Sequence, residues 1–158
     1  MKTKNYLTDG LKRGCLFYAL STLLIAAQFM GYIFGNSLME IMDAEGWIFF
    51  LASCVSHASQ FALIPFLLYF LFLLMRCPKV ATAVQIGGVT LLCLVNYLNS
   101  QVFAIYRFHI NGFVLNMVFG EGAGQIFTFS PMLYVKEAAL FLLLVGVVMG
   151  LWWTSRWI

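Results

Sequence analysis

The sequence predicts an all-α membrane protein of four transmembrane helices, with a short interfacial helix between spans three and four. Three observations predict it. Of 158 residues, 63% are hydrophobic and only 9% are charged. A soluble domain carries about 25% charged residues, so too few charges remain to cover a water-exposed surface. The apolar residues fall into four runs, each long enough to cross a hydrocarbon core of roughly 30 Å. The basic residues gather at one side of those runs and the acidic ones at the other. The length suits one domain, residues 1–158.

Span one is read at about 14–34. Lys2, Lys4, Lys12 and Arg13 precede it and mimic the charged start of a signal peptide. The apolar run exceeds a signal h-region, however, and Ala26-Ala27 is only a weak cleavage candidate, so the span is expected to stay. Gly10 and Gly14 form a GxxxG pair at its inner end, and Gly31 and Gly35 another at its outer end. The loop that follows is acidic, with Glu40, Asp43 and Glu45.

Span two is read at about 46–75. A helix of that length measures about 45 Å, more than one crossing needs. It is expected to tilt or protrude, with Pro65 the place for a kink. Arg76-Cys77-Pro78-Lys79 ends it in a basic turn. Span three is read at about 80–103 and carries Gln85, Gly87-Gly88, Asn96, Asn99 and Ser100. Residues 104–131 form the outer interfacial segment. Its apolar stretch Gly112–Phe119 predicts a small helix lying in the interface, and Gly120, Gly122 and Gly124 then break it. Ser130-Pro131 reads as a helix lead-in to span four, about 132–153. That span contains Gly146-xxx-Gly150, and Trp152, Trp153, Arg156 and Trp157 are read as an anchor at its end.

Seven of the nine basic residues lie on the side of the N-terminus, and five of the six acidic ones lie opposite. The positive-inside rule then places both termini in the cytoplasm of a multi-pass protein.

Two polar groups stand out. Ser53, Ser56, His57 and Gln60 recur at i, i+3, i+4 and i+7 and share one helix face. His57 sits roughly 16 Å along span two, within reach of Asn96 or Asn99 on an antiparallel neighbour. The group reads as interhelical polar packing or a partner-docking face, and a proton relay is the sharper alternative. The second group, Asn99, Gln101, Tyr106, Arg107, His109 and Asn111, is the densest polar cluster in the chain. Arg107 suits a lipid phosphate, because a guanidinium matches its geometry; the simpler alternative is an arginine snorkelling to water.

The four cysteines form no CxxC and read as reduced thiols in apolar surroundings. Two histidines far apart make no metal site alone. No GxSxG, HExxH, P-loop or paired intramembrane acids occur, so no catalytic residue, metal or cofactor is expected. No internal repeat suggests a transporter.

The segment Asn99-Ser-Gln-Val-Phe, then Phe108-His109-Ile110-Asn111, with Val114 and Val118 beyond, resembles the N-terminal membrane domain of the YejM/PbgA family. These are Gram-negative inner-membrane proteins with a sulfatase-like periplasmic domain of the alkaline-phosphatase superfamily. The family tends to carry a histidine midway along a long second span, which His57 matches. Span lengths agree along nearly the whole chain. Two departures matter. Asn99 and Gln101 stand where the family has acidic residues, which removes any role needing a carboxylate there. The family also continues into a fifth span and the periplasmic domain, so this chain is expected to be a fragment or a truncated member.

The resemblance implies a membrane anchor and regulatory domain with a role in envelope lipid (lipopolysaccharide) homeostasis. Its implied partners are membrane lipids, among them an anionic lipid or lipopolysaccharide, and a membrane protein; no nucleic acid is expected. His57, Asn99, Gln101, His109 and Asn111 are the positions it carries over, as structural or interfacial residues. Two rival readings are a stand-alone four-helix adaptor and a small transporter using His57 and Asn96.

Overall fold

The computed structural model describes residues 2–33, 42–120 and 130–156. The GxxxG partner Gly35, the acidic Glu40, the breakers Gly122 and Gly124, and Trp157 lie outside those residues. The described residues form five α-helices and a short 3-10 turn. They are α1 (Lys2–Phe29, continued by the 3-10 turn Met30–Tyr32), α2 (Ala44–Leu74), α3 (Pro78–Tyr106), α4 (Gly112–Phe119) and α5 (Pro131–Thr154). Four of them, α1, α2, α3 and α5, are long and apolar enough to cross a membrane. The chain is therefore a multi-pass membrane protein, and the short helix falls between its third and fourth spans.

Local chemistry explains the helix ends. Asp43 caps α2, its Oδ1 accepting from the Gly46 N–H at 2.8 Å. Glu45 in the first turn favours the positive end of the helix dipole. α2 runs on through Pro65 without interruption. It stops at a Schellman motif: the Cys77 N–H reaches the Phe72 carbonyl and the Arg76 N–H that of Leu73, at 3.0 and 3.1 Å. Arg76 takes the left-handed conformation this requires, φ 59°. Pro78 then opens α3, where its missing N–H costs nothing.

The helices run up and down. α1 and α3 each pack against the other three spans. At the near end lie the start of α1, the α2–α3 turn and the end of α5. At the far end lie the 3-10 turn, the start of α2, the end of α3, α4 and the start of α5.

Lipid tails are as apolar as leucine, so packing in a membrane depends on close approach and on interhelical hydrogen bonds rather than on expelling water. Both are visible. The buried residues of α2, Cys54, Ala58, Ala62, Pro65, Tyr69 and Leu73, form one seam at steps of three and four. Gly88 of α3 meets Pro65 so closely that a Cβ there would lie 2.7 Å from the Pro65 Cβ. Gly10 and Gly14 of α1 sit against Leu73 and Tyr69 of α2. Their carbonyls also accept hydrogen bonds, Gly10 from the Tyr69 hydroxyl at 2.7 Å and Gly14 from Gln85 Nε2 at 3.3 Å. The first GxxxG thus packs inside the bundle, whereas Gly146 and Gly150 of α5 face open space.

Trp152 differs from the anchoring role read in the sequence. It is 5% exposed, edge-on to Phe17 and to Tyr69, while its neighbour Trp153 is 63% exposed. α5 buries only Leu144, Val148 and Trp152, at i, i+4 and i+8, so residue 152 falls on its packed face and residue 153 does not.

Candidate functional site at the far end

Asn99 is the hub of the far end. Its Nδ2 donates to the Tyr32 hydroxyl at 2.6 Å and lies 2.9 Å from His109 Nδ1, and its Oδ1 accepts from the Ile110 N–H at 2.8 Å. With Nδ1 accepting, a neutral His109 carries its proton on Nε2. The His109 ring stacks on Phe103, centroids 4.9 Å apart, and meets Tyr32 edge-on at 5.7 Å. Tyr32 in turn donates to Asn96 Oδ1 at 3.4 Å. Asn96 donates to Gln28 Oε1 at 3.4 Å, and Gln28 donates to the Cys93 carbonyl at 3.3 Å. A directional chain of hydrogen bonds therefore ties α1 to α3, each polar group satisfied by the next.

The chain reversal beyond α3 follows from the same residues. Arg107 adopts φ 61°, ψ 22°, and its N–H bonds to the Phe103 carbonyl at 2.9 Å, an αL cap. Four residues later Asn111 caps the start of α4, its Oδ1 accepting from the Phe113 and Val114 N–H groups at 3.0 and 3.2 Å. Asn99 thus holds one end of the turn and Asn111 starts the next element.

This turn sets α4 beside a cavity of about 710 Å³. Gln101, Tyr106, Phe113, Met117 and Tyr134 are among its lining residues, so it lies between the far end of α3, α4 and the start of α5. Its walls are mostly apolar, and Arg107 stands next to Tyr106 in the turn above it. The cavity is a mostly apolar slot, a shape and lining suited to an apolar group. Across the bundle a smaller cleft of about 410 Å³ is lined by Tyr32, Ser53, His57, Asn99 and His109, among others.

The sequence-predicted residues separate into two sets. Asn96, Asn99, Gln101, Tyr106, Arg107, His109 and Asn111 all lie along the far end of α3 and its turn. Of the other set, Ser53 and His57 share the smaller cleft with Asn99 and His109, whereas Ser56 and Gln60 do not line it. His57 borders the smaller cleft but makes no hydrogen bond among the described residues, and Asn96 and Asn99 turn to α1 instead. The cause is helix geometry. At about 100° per residue, Ser53, Ser56 and Gln60 point away from the Ala58–Ala62 seam that packs inward. Ser56, His57 and Gln60 are exposed. Gln60 Nε2 donates to Ser56 Oγ at 3.4 Å within the helix. The stripe therefore lies on the outer face of α2, with Ser53 and His57 at the edge of the smaller cleft. Gln28 and Tyr32 escaped the sequence reading, although a glutamine in an apolar run with a tyrosine four residues later was the available signal.

Among the described residues, no three His, Cys, Asp or Glu side chains gather in a way that could hold a metal ion.

Comparison with known families bears on this arrangement. The model of a domain of unknown function, DUF3413, matches residues 11–157. The chain belongs to the DUF3413 family. No curated protein and no solved structure matches it. The DUF3413 match runs from within α1 to the end of α5 and takes in the whole far-end site.

Proposed function

We propose that this DUF3413 chain is the membrane anchor and regulatory domain of a YejM/PbgA-type, sulfatase-like inner-membrane protein, and that it acts in envelope lipid homeostasis through lipid and partner contacts. In this reading the near end faces the cytoplasm and the far end faces the periplasm. The observation that carries it is the far-end cavity, an apolar slot of about 710 Å³ beside the Arg107 turn. A slot of this kind takes an acyl chain while the arginine meets the headgroup phosphate. The outward polar stripe Ser56–His57–Gln60 supports the partner half of the reading. Polar groups at membrane depth are costly unless another helix or water satisfies them.

The reading has two tests. Arg107→Ala is expected to weaken retention of an anionic phospholipid by about fivefold, since a basic side chain near a membrane surface contributes about 1 kcal/mol. Native mass spectrometry of purified protein titrated with phosphatidylglycerol measures this, and unchanged retention would count against the lipid contact. The anchor half requires the native gene product to run several times larger than 17.8 kDa on an immunoblot. A band at 17.8 kDa would remove the link to a hydrolase domain.

A further inference from the structure

The near end holds a second cavity that the far-end reading does not use. It measures about 710 Å³ and is lined by Asp9, Lys12, Arg13, Leu16, Ser155 and Arg156. Three cationic side chains thus converge from the two ends of the chain. Arg13 is held in place. Its guanidinium lies 3.9 Å from the Trp152 ring centroid, its Nη2 donates to the Trp152 carbonyl at 3.2 Å, and its Nε donates to Ser155 Oγ at 3.4 Å. Those bonds leave Nη1 without a hydrogen bond among the described residues. Lys12 and Arg156 make no ion pair among the described residues, although Asp9 shares the cavity with them. Three cations against the one carboxylate of Asp9 leave the concavity net positive, and an anion relieves the remaining repulsion. A fixed guanidinium beside two mobile cations is a fitting arrangement for a phosphate, which takes directed hydrogen bonds from arginine and point charge from lysine. A second cavity of about 330 Å³ adjoins the first and shares Asp9 and Arg13. It gives room for more than a bare phosphate.

We infer that the cleft between the start of α1 and the end of α5 binds a phosphate group, that of an anionic phospholipid headgroup. The site is independent of the far-end cavity. Lys12 and Arg156 supply charge, and Arg13 is the positioning residue, which ties the cleft to the packed Trp152.

The test uses the full chain in nanodiscs or micelles of phosphatidylcholine, titrated with phosphatidylglycerol or with inorganic phosphate. Lys12→Gln/Arg156→Gln removes two exposed side chains that make no bond in the bundle, so melting in phosphatidylcholine alone should match the parent. Arg76→Gln/Lys79→Gln removes two charges at the same end but outside the cleft. The expected result is a loss of roughly tenfold or more in phosphatidylglycerol affinity for the first pair, with the second pair within about twofold of the parent. Millimolar inorganic phosphate that competes would support the phosphate site and assign it to a free anion instead of a lipid. Equal losses in both pairs would overturn the inference, because the effect would then be the general charge of this membrane face. Equal affinity for phosphatidylcholine and phosphatidylglycerol would overturn it too. Arg107→Ala should leave this near-end binding unchanged, which separates it from the far-end site.

Discussion

Gly14→Leu is expected to lower the unfolding free energy by about 3 kcal/mol, the upper part of the range for overpacking a tight contact. A Cβ at position 14 would overlap the Tyr69 ring, and one at position 10 would lie 2.8 Å from a Leu73 methyl. Tyr69 cannot easily withdraw, because its hydroxyl is bonded to the Gly10 carbonyl and its ring packs against Trp152 at 6.0 Å. Moving α1 outward would also stretch the bond from Gln85 to the Gly14 carbonyl, which leads into a side chain that is 1% exposed. A new side chain at this one position therefore disturbs α1, α2, α3 and α5 together. Gly146→Leu is the control. Nothing lies within 4 Å of a Cβ built there, so its effect should stay within about 0.5 kcal/mol. Reversible unfolding in a mixed-micelle SDS titration measures both. Equal losses for the two variants would mean that glycine itself, not the α1–α2 contact, sets stability.

Asn99→Leu is expected to cost about 2 kcal/mol and to loosen the far end selectively. Asn99 makes three contacts, with Tyr32, His109 and the Ile110 N–H. Interhelical bonds of this type average about 0.6 kcal/mol in a membrane, and a buried group left without a partner costs more. The local effect should exceed the global one. Exchange of the Ile110 amide should accelerate by about tenfold or more, since its acceptor is the Asn99 side chain. The Ala81 amide, bonded to the Cys77 carbonyl at the near end, should keep its protection. Hydrogen exchange read by mass spectrometry or NMR reports both in one experiment. Uniform acceleration at both ends would show that Asn99 acts on the whole bundle and not on the turn.

These two variants also mark how far the sequence could be read. The four spans were legible because length and apolarity suffice to define them, and their structural ends fall within a few residues except at the start of α1. Ser130-Pro131 as a helix opener was a local signal that needed no tertiary knowledge, whereas Asn111 was read only as an interfacial polar residue and its capping of α4 came from the structure. The crowding of polar residues between Asn99 and Asn111 pointed to the far end, since groups of that cost in hydrocarbon must find partners. Which partners they found was not legible. A helical wheel shows that Ser53, Ser56 and Gln60 share a face, but polarity alone left open whether that face packs against a neighbouring helix or turns outward to a partner. The small residues Ala58 and Ala62 on the opposite side are what let α1 and α3 approach, and they decided the outcome. Trp152 was misplaced for a related reason. A tryptophan near a span end resembles an interfacial anchor until its neighbour Arg13, far away in sequence, is seen to cover it.

The central claim is that the cavity between α3, α4 and α5 contacts lipid. A phospholipid with a photoreactive diazirine in its acyl chain, incorporated into nanodiscs with the purified chain, tests it most directly. Crosslinked peptides mapped by mass spectrometry should concentrate on Phe113–Phe119 and on Leu98–Val102, and the enrichment should fall in Asn99→Leu as the turn loosens. Crosslinks spread evenly over the exposed apolar faces of α2 and α5, with no excess at the cavity, would contradict the account.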